Sequence, residues 1–132
     1  MNNRTIELLV TSARKAREFA YAPYSGFSVG AAVLTAQGKV YTGCNIESAS
    51  SGATCCAERT AVFKAVSEGD TEIVAVCCIA DTNEPVAPCG ICRQVIMEWG
   101  AQIEVVMANL KGETRVIKIE DLLPLVFTRD DL

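Results

Sequence analysis

The chain of 132 residues contains no histidine. A transition metal held by its side chains must therefore rest on sulfur. There is no run of basic residues either, and the formal net charge is −4. An acidic chain without a basic stripe is a poor match for DNA or RNA, whose binding draws on neutralising phosphates. Charges and glycines break every apolar stretch before it reaches the length a membrane-spanning helix needs. Met1-Asn2-Asn3-Arg4-Thr5 leads into an amphipathic segment without the apolar centre of a secretory signal. The expectation is a cytoplasmic protein with neither a membrane nor a nucleic-acid partner. Linkers, repeats and low-complexity segments are also missing, which points to one domain over residues 1–132. Half of the residues are apolar and 21% are charged, enough apolar material for one core.

What the chain does have is sulfur: Cys44, Cys55, Cys56, Cys77, Cys78, Cys89 and Cys92. An odd count with two vicinal pairs does not make a disulfide framework. Some of these thiols are read as metal ligands and the rest as small buried apolar groups. Cys77 and Cys78 fall inside an apolar strand and belong to the second kind.

Apolar residues recur at helical spacing from about Thr5 to Ala20, through Ile6, Leu9, Val10, Ala13, Ala16 and Phe19. Pro23 and Gly26 break the pattern. Val29–Thr35 and Val40–Asn45 read as strands joined by a hairpin turn at Ala36–Lys39. Residues 47–54, rich in Ser, Gly and Ala, read as a loop. Cys56–Glu68 is helical, with Ala57, Ala61, Val62, Ala65 and Val66 on one face. Ile73–Ala80 is uninterrupted and apolar, as in a strand covered on both faces. Cys89–Trp99 is a further helix, and Ile103–Ala108 and Arg115–Ile119 are strands. A short helix over Glu120–Leu123 meets Pro124. The expected fold is α/β, a three-layer α/β/α arrangement around a five-stranded mixed sheet.

Chemistry concentrates in Cys56-Ala57-Glu58 and Pro88-Cys89-Gly90-Ile91-Cys92. With Pro88 opening a helix, Cys89 and Cys92 share one side of its first turn. Cys56 stands at the start of the other helix, and helix N-termini favour thiolates. Three thiolates leave one tetrahedral position open, the mark of a catalytic zinc rather than a structural one. Other readings of the same residues are a redox C-x-x-C pair, or a closed four-sulfur site completed by Cys44 or Cys55. Against the closed site, Glu58 would stand beside a metal with no task. Cys56 is preferred to Cys55 as ligand because its spacing to Glu58 suits proton transfer. Zinc on three thiolates carries a formal excess of negative charge, which weakens it as a Lewis acid. Arg59 is either the donor that relieves this charge through the sulfurs or an ordinary surface arginine.

These residues resemble the small homotetrameric cytidine deaminases of pyrimidine salvage over nearly the whole chain. The matching stretches are Pro23–Ala32, Gly43-Cys44-Asn45-Ile46-Glu47, Cys56–Ala61, Pro88–Gln94 and Leu122-Leu123-Pro124. The resemblance implies hydrolysis of cytidine or 2′-deoxycytidine to the uridine and ammonia. It makes Cys56, Cys89 and Cys92 the zinc ligands, Glu58 the proton shuttle and Arg59 the charge-tuning residue. Asn45 and Glu47 would bind the ribose 3′-hydroxyl, Phe27 would pack on the pyrimidine, and the Ala57 backbone would help to read the base. Phe127 would reach the base from a neighbouring subunit, so that the homotetramer shares its active sites; periodicity alone puts both phenylalanines in the core. The family usually carries a tyrosine where Ser51 stands, which contacts the sugar 5′-hydroxyl. The shorter Ser51 motivates a second substrate class, a modified cytosine nucleoside as in blasticidin S deaminases. A polynucleotide deaminase on the same fold is a third reading, disfavoured by the acidic charge and short length, and a non-catalytic zinc-stabilised module is the reading from a different class.

Overall fold

A computed structural model describes all residues 1–132. Five strands form one sheet: β1 (Val29–Thr35), β2 (Val40–Cys44), β3 (Ile73–Ala80), β4 (Glu104–Asn109) and β5 (Thr114–Lys118). The spatial order is β2-β1-β3-β4-β5. β3 and β4 are parallel and the other three pairings are antiparallel. The sheet is mixed, as expected, and β3 is its central strand.

Alternation along the strands divides the core in two. Ala32, Ala75, Cys77, Ile79, Val106 and Ala108 face α1 (Asn3–Arg17), which contributes Leu9 and Ala13. Ala31, Val33, Val76, Cys78, Val105 and Met107 face the other way. They meet Ala57, Ala61, Val62 and Ala65 of α2 (Ala57–Ser67) and Ile96 of α3 (Gly90–Glu98). Cys77 and Cys78 thus point to opposite faces, and both are core residues. A last short helix, α4 (Ile119–Leu122), buries Ile119 on the α2–α3 side.

The first helix starts earlier and stops sooner than its apolar periodicity suggests. Asn2 caps it, its Oδ1 accepting from the Thr5 N–H at 2.8 Å. After Arg17 the chain peels away because Tyr21 pairs with the segment beyond β2. Its N–H donates to the Asn45 carbonyl and its carbonyl accepts from the Glu47 N–H, both at 2.9 Å. Phe19 is consequently 80% exposed rather than in the core.

Two glycines set how closely the helices lie on the sheet. A methyl group on Gly30 would stand 1.9 Å from the Ala13 carbonyl oxygen of α1. A methyl group on Gly43 would stand 2.6 Å from the Ala61 nitrogen and 2.8 Å from the Ala57 oxygen of α2. Only a residue without a side chain fits at either crossing. At its other end α2 stops at Gly69, in the left-handed region with φ 82°, and buried Asp70 follows. One carboxylate oxygen of Asp70 accepts from the Thr35 hydroxyl at 2.8 Å and the Tyr41 hydroxyl at 3.1 Å. The helix is clamped to the β1–β2 hairpin at both ends.

The topology gathers several termini at one sheet edge. Val29, which opens β1, pairs with Ala80, which closes β3, and Cys44 closes β2 opposite Gly30. The chain leaves β2 at this edge toward α2 and leaves β3 there toward α3. No helix is long and apolar enough to cross a membrane.

Gly43→Ala is expected to lower the unfolding free energy by about 1–3 kcal/mol through overpacking. Gly52→Ala, where a methyl group meets nothing within 4 Å, is expected to stay within about 0.5 kcal/mol of the parent. Urea denaturation of the two variants checks the contrast.

Candidate active site and metal centre

The helix starts that meet at this edge both begin on cysteine. Cys56 is the N-cap of α2 and Cys89 the N-cap of α3, and neither thiol caps its own helix. Cys92 lies one turn into α3. The sulfurs of Cys56, Cys89 and Cys92 all lie within 4.8 Å of one another. Cys56 Sγ and Cys89 Sγ are 3.7 Å apart. Zinc–sulfur bonds of about 2.3 Å in a tetrahedron require an edge of about 3.8 Å. The trio has the spacing and the soft donor chemistry that zinc takes.

Cys55 stays outside the group. Its backbone pairs with Ile46, N–H to carbonyl in both directions at 2.9 Å, and its sulfur accepts from the Thr60 hydroxyl at 3.6 Å. Cys44 is also outside the group, which leaves no fourth sulfur to close the site. All seven cysteines are free.

Arg59 Nη2 donates to Cys56 Sγ at 3.5 Å and to the Thr54 carbonyl at 3.3 Å. Its buried Nε has no partner. A guanidinium folded onto a sulfur is not a surface arginine. The Cys56 thiol is held down at about 5, first by the hydrogen bond from Cys92 and then by Arg59. Cys92, the donor in that bond and itself buried, is pushed up. The thiolates in turn raise Arg59, so its positive charge is permanent.

Glu58, in the first turn of α2, is only 5% exposed. Burial, with the Cys56 charge adding to it, pushes its carboxyl up to about 7. Such a group takes and gives a proton near neutrality, which general acid–base catalysis requires. Glu58, Cys56 and Cys89 line one cavity of about 250 Å³ together with Ala57, Phe27, Asn45 and Glu47. A larger concavity of about 530 Å³ lies between α1 and α2, beside Lys15, Phe19 and Lys64. It contains neither Glu58 nor the thiol trio, so the chemistry belongs to the smaller one.

The cavity wall is held by polar side chains. Asn45 Oδ1 accepts from the Val29 N–H at 2.9 Å, and its Nδ2 donates to the Phe27 carbonyl at 2.7 Å. One Nδ2 hydrogen is left over. Glu47 accepts from the Tyr24 and Ser25 N–H groups at 2.9 and 3.1 Å and from the Ser25 hydroxyl. That hydroxyl in turn accepts from the Phe27 N–H at 3.0 Å. Mainly through Ser25, Glu47 is held below the usual carboxylate range and stays ionised. Phe27 is thereby gripped on both sides of its backbone and presents its ring at the cavity. Ser51 opens a single exposed 3₁₀ turn, Ser51–Ala53.

Phe127 does not line this cavity. It sits 58% exposed on the outer side of α3, where its carbonyl accepts from Gln94 Nε2 at 2.8 Å. Within one chain it is therefore neither in the core nor at the site. Ser25, Thr54, Val86 and Arg93 also shape the region. Ser25 and Arg93 fall inside the sequence motifs, but a serine or an arginine in a motif does not disclose which backbone atom it reaches.

Comparison with known proteins agrees with this geometry. The family model for the cytidine and deoxycytidylate deaminase zinc-binding region matches residues 3–109. The cytidine deaminase of Halalkalibacterium halodurans is 51% identical over 96% of both chains. That of Sporosarcina psychrophila is 49% identical over 96% of this chain and 94% of its own. The crystal structure of the Burkholderia pseudomallei cytidine deaminase superposes with a TM-score of 0.89 at 48% identity. It covers 96% of this chain and 100% of that one. Blasticidin-S deaminase of Bacillus cereus is more remote, 30% identical over 77% of this chain and 78% of its own. With sulfurs spaced for zinc, a buried acid beside them and relatives of this kind along almost its whole length, the chain belongs to the cytidine and deoxycytidylate deaminase family of zinc enzymes.

Proposed function

We propose that this chain hydrolyses cytidine and 2′-deoxycytidine to the corresponding uridines and ammonia, with residues 1–132 acting as one catalytic domain. The observation that carries the reading is Glu58: a buried carboxyl held near 7, opening into the same cavity as Cys56 and Cys89. A closed structural metal site has no use for it.

Cys56, Cys89 and Cys92 are the ligands of the zinc. When bound, the metal would lower the pKa of a water molecule to about 7 and so supply the nucleophile. Glu58 accepts a proton from the attacking water and passes it to the ring nitrogen of the pyrimidine. It then takes the remaining proton from the hydroxyl added to the ring carbon and delivers it to the amine, which leaves as ammonia. Arg59 draws negative charge from the Cys56 sulfur and keeps the thiolate set from quenching the metal's acidity.

The substrate is held by groups with capacity to spare. Asn45 retains one N–H donor and ionised Glu47 retains acceptor sites, and a ribose 3′-hydroxyl donates and accepts. Phe27 packs on the base, and the N–H of Ala57, in the first turn of α2 where no helical acceptor exists, reads its polar edge. Phe127 cannot serve its own cavity, so it serves that of a neighbour, and the working form is a homotetramer with shared sites. Exposed Phe19, Leu125 and Leu132 are in keeping with chain-to-chain contact. Seven free thiols suit the cytoplasm, and the route served is pyrimidine salvage.

A second reading rests on Ser51 and the blasticidin-S deaminase likeness: the short side chain leaves room for a larger or altered sugar. If cytidine is turned over orders of magnitude more slowly than a sugar-modified cytosine nucleoside, the second reading replaces the first.

An ultraviolet assay of cytidine loss beside a metal-content measurement tests the proposal. Glu58→Gln is expected to keep fold, zinc and nucleoside binding while losing at least about 10²-fold in kcat. A wild-type protein that releases no ammonia from any cytosine nucleoside would be a zinc-stabilised module instead. Arg59→Gln is expected to lower turnover more than it lowers zinc content; equal turnover would remove Arg59 from the chemistry. Phe127→Ala is expected to raise KM roughly 2–10-fold, as for loss of an aromatic contact. Unchanged KM and kcat would exclude the contact from a neighbouring subunit.

A further inference from the structure

Arg93, in the second turn of α3, is used by none of the chemistry above, yet its guanidinium is tied in two directions. Nε donates to the Pro88 carbonyl at 2.9 Å and Nη1 to the Leu122 carbonyl at 2.9 Å. No backbone N–H serves either oxygen. Pro88 is fully buried, and its carbonyl belongs to the peptide that leads into Cys89. The Leu122 carbonyl is the last of α4, an orphan of the helix end. The neighbouring residue, Gln94, donates to the Phe127 carbonyl at 2.8 Å. Two successive side chains of α3 thus hold the C-terminal segment, but only Arg93 also holds the turn that carries a metal thiol.

The consequence falls on Cys89, the exposed member of the trio. Its thiol makes no cap bond to its own helix, and the hydrogen bond that holds the carbonyl of the peptide before it comes from Arg93 Nε. A planar guanidinium reaches two divergent carbonyls at once; an ammonium is a point donor and does not reproduce that fork.

We propose that Arg93 is a positioning residue for the zinc thiolates, fixing Cys89 through the Pro88 carbonyl and bracing that turn against the end of α4. The inference rests on the zinc assignment above. Residues that orient metal ligands without touching the metal affect its retention by about 10–100-fold.

The test is the rate at which purified protein yields zinc to an excess of a chromogenic chelator, with KM and kcat for cytidine measured on the loaded proteins. Arg93→Gln is expected to release zinc at least about tenfold faster, with KM within about twofold of wild type. Arg93→Lys is expected to fall between the two, and it carries the test alone if Arg93→Gln does not fold. Gln94→Ala, which frees the Phe127 carbonyl but not the Pro88 one, is expected to release zinc at the wild-type rate. Equal release from wild type and the Arg93 variants would overturn the proposal and leave the zinc assignment standing. So would a raised KM with unchanged release. A wild-type protein that holds no zinc would overturn both.

Discussion

There is no clearance between α2 and the edge strand β2. The helix backbone passes so near Gly43 that a single methyl group would meet two of its atoms below van der Waals distance. Buried Asp70 clamps the other end of α2 to the hairpin. Cys56, Glu58 and Arg59 occupy the start and first turn of this helix, so its height and tilt above the sheet set where all three stand. The sheet then does the rest. Because β1 runs against β3, the start of one and the end of the other share an edge, and both helix starts open there.

The same seating explains the proton chemistry. Glu58 is pressed against the sheet by a helix that cannot lift, and desolvation follows from that position rather than from any special neighbour. Arg59, two residues after the helix start, is turned back over Cys56, where its charge opposes the burial of the thiolate. One helix end carries a thiol of the cysteine trio, an acid kept near neutrality and a fixed cation. Their different protonation behaviour comes from how far each reaches out of the core.

Much of this was legible in the residues. Short apolar runs between turn residues placed all five strands, and helical spacing the main helices, because buried positions here are largely apolar. Cys56-Ala57-Glu58 and Cys89-x-x-Cys92, in a chain without histidine, pointed to a sulfur site with one acid, and the structure brings those side chains together. What failed was local. Phe19 kept the helical period but lies outside the core, since a backbone pairing at Tyr21 ends the helix first. Phe27 and Phe127 looked like core by hydrophobicity alone; one lines the cavity and the other hangs outside α3. For Arg59 the sulfur partner was one of two readings, and it is the one the structure shows; the partners of Glu47 and Arg93 were not readable, because side chain-to-backbone bonds depend on which carbonyls and amides the tertiary fold leaves unpaired.

Both catalytic-edge helices start on a residue that ordinarily would not be chosen for the place. A serine or aspartate there satisfies a free amide and is worth about 1 kcal/mol to the helix; a cysteine whose sulfur faces away satisfies none. The chain forgoes that gain twice, and side by side. Drawing the ion out would leave two frayed beginnings facing each other across the substrate chamber. If Cys56 and Cys89 hold the zinc as proposed, demetallation and softening of the chamber wall would be a single coupled event, and the unloaded protein a looser body, not the same body with a gap in it.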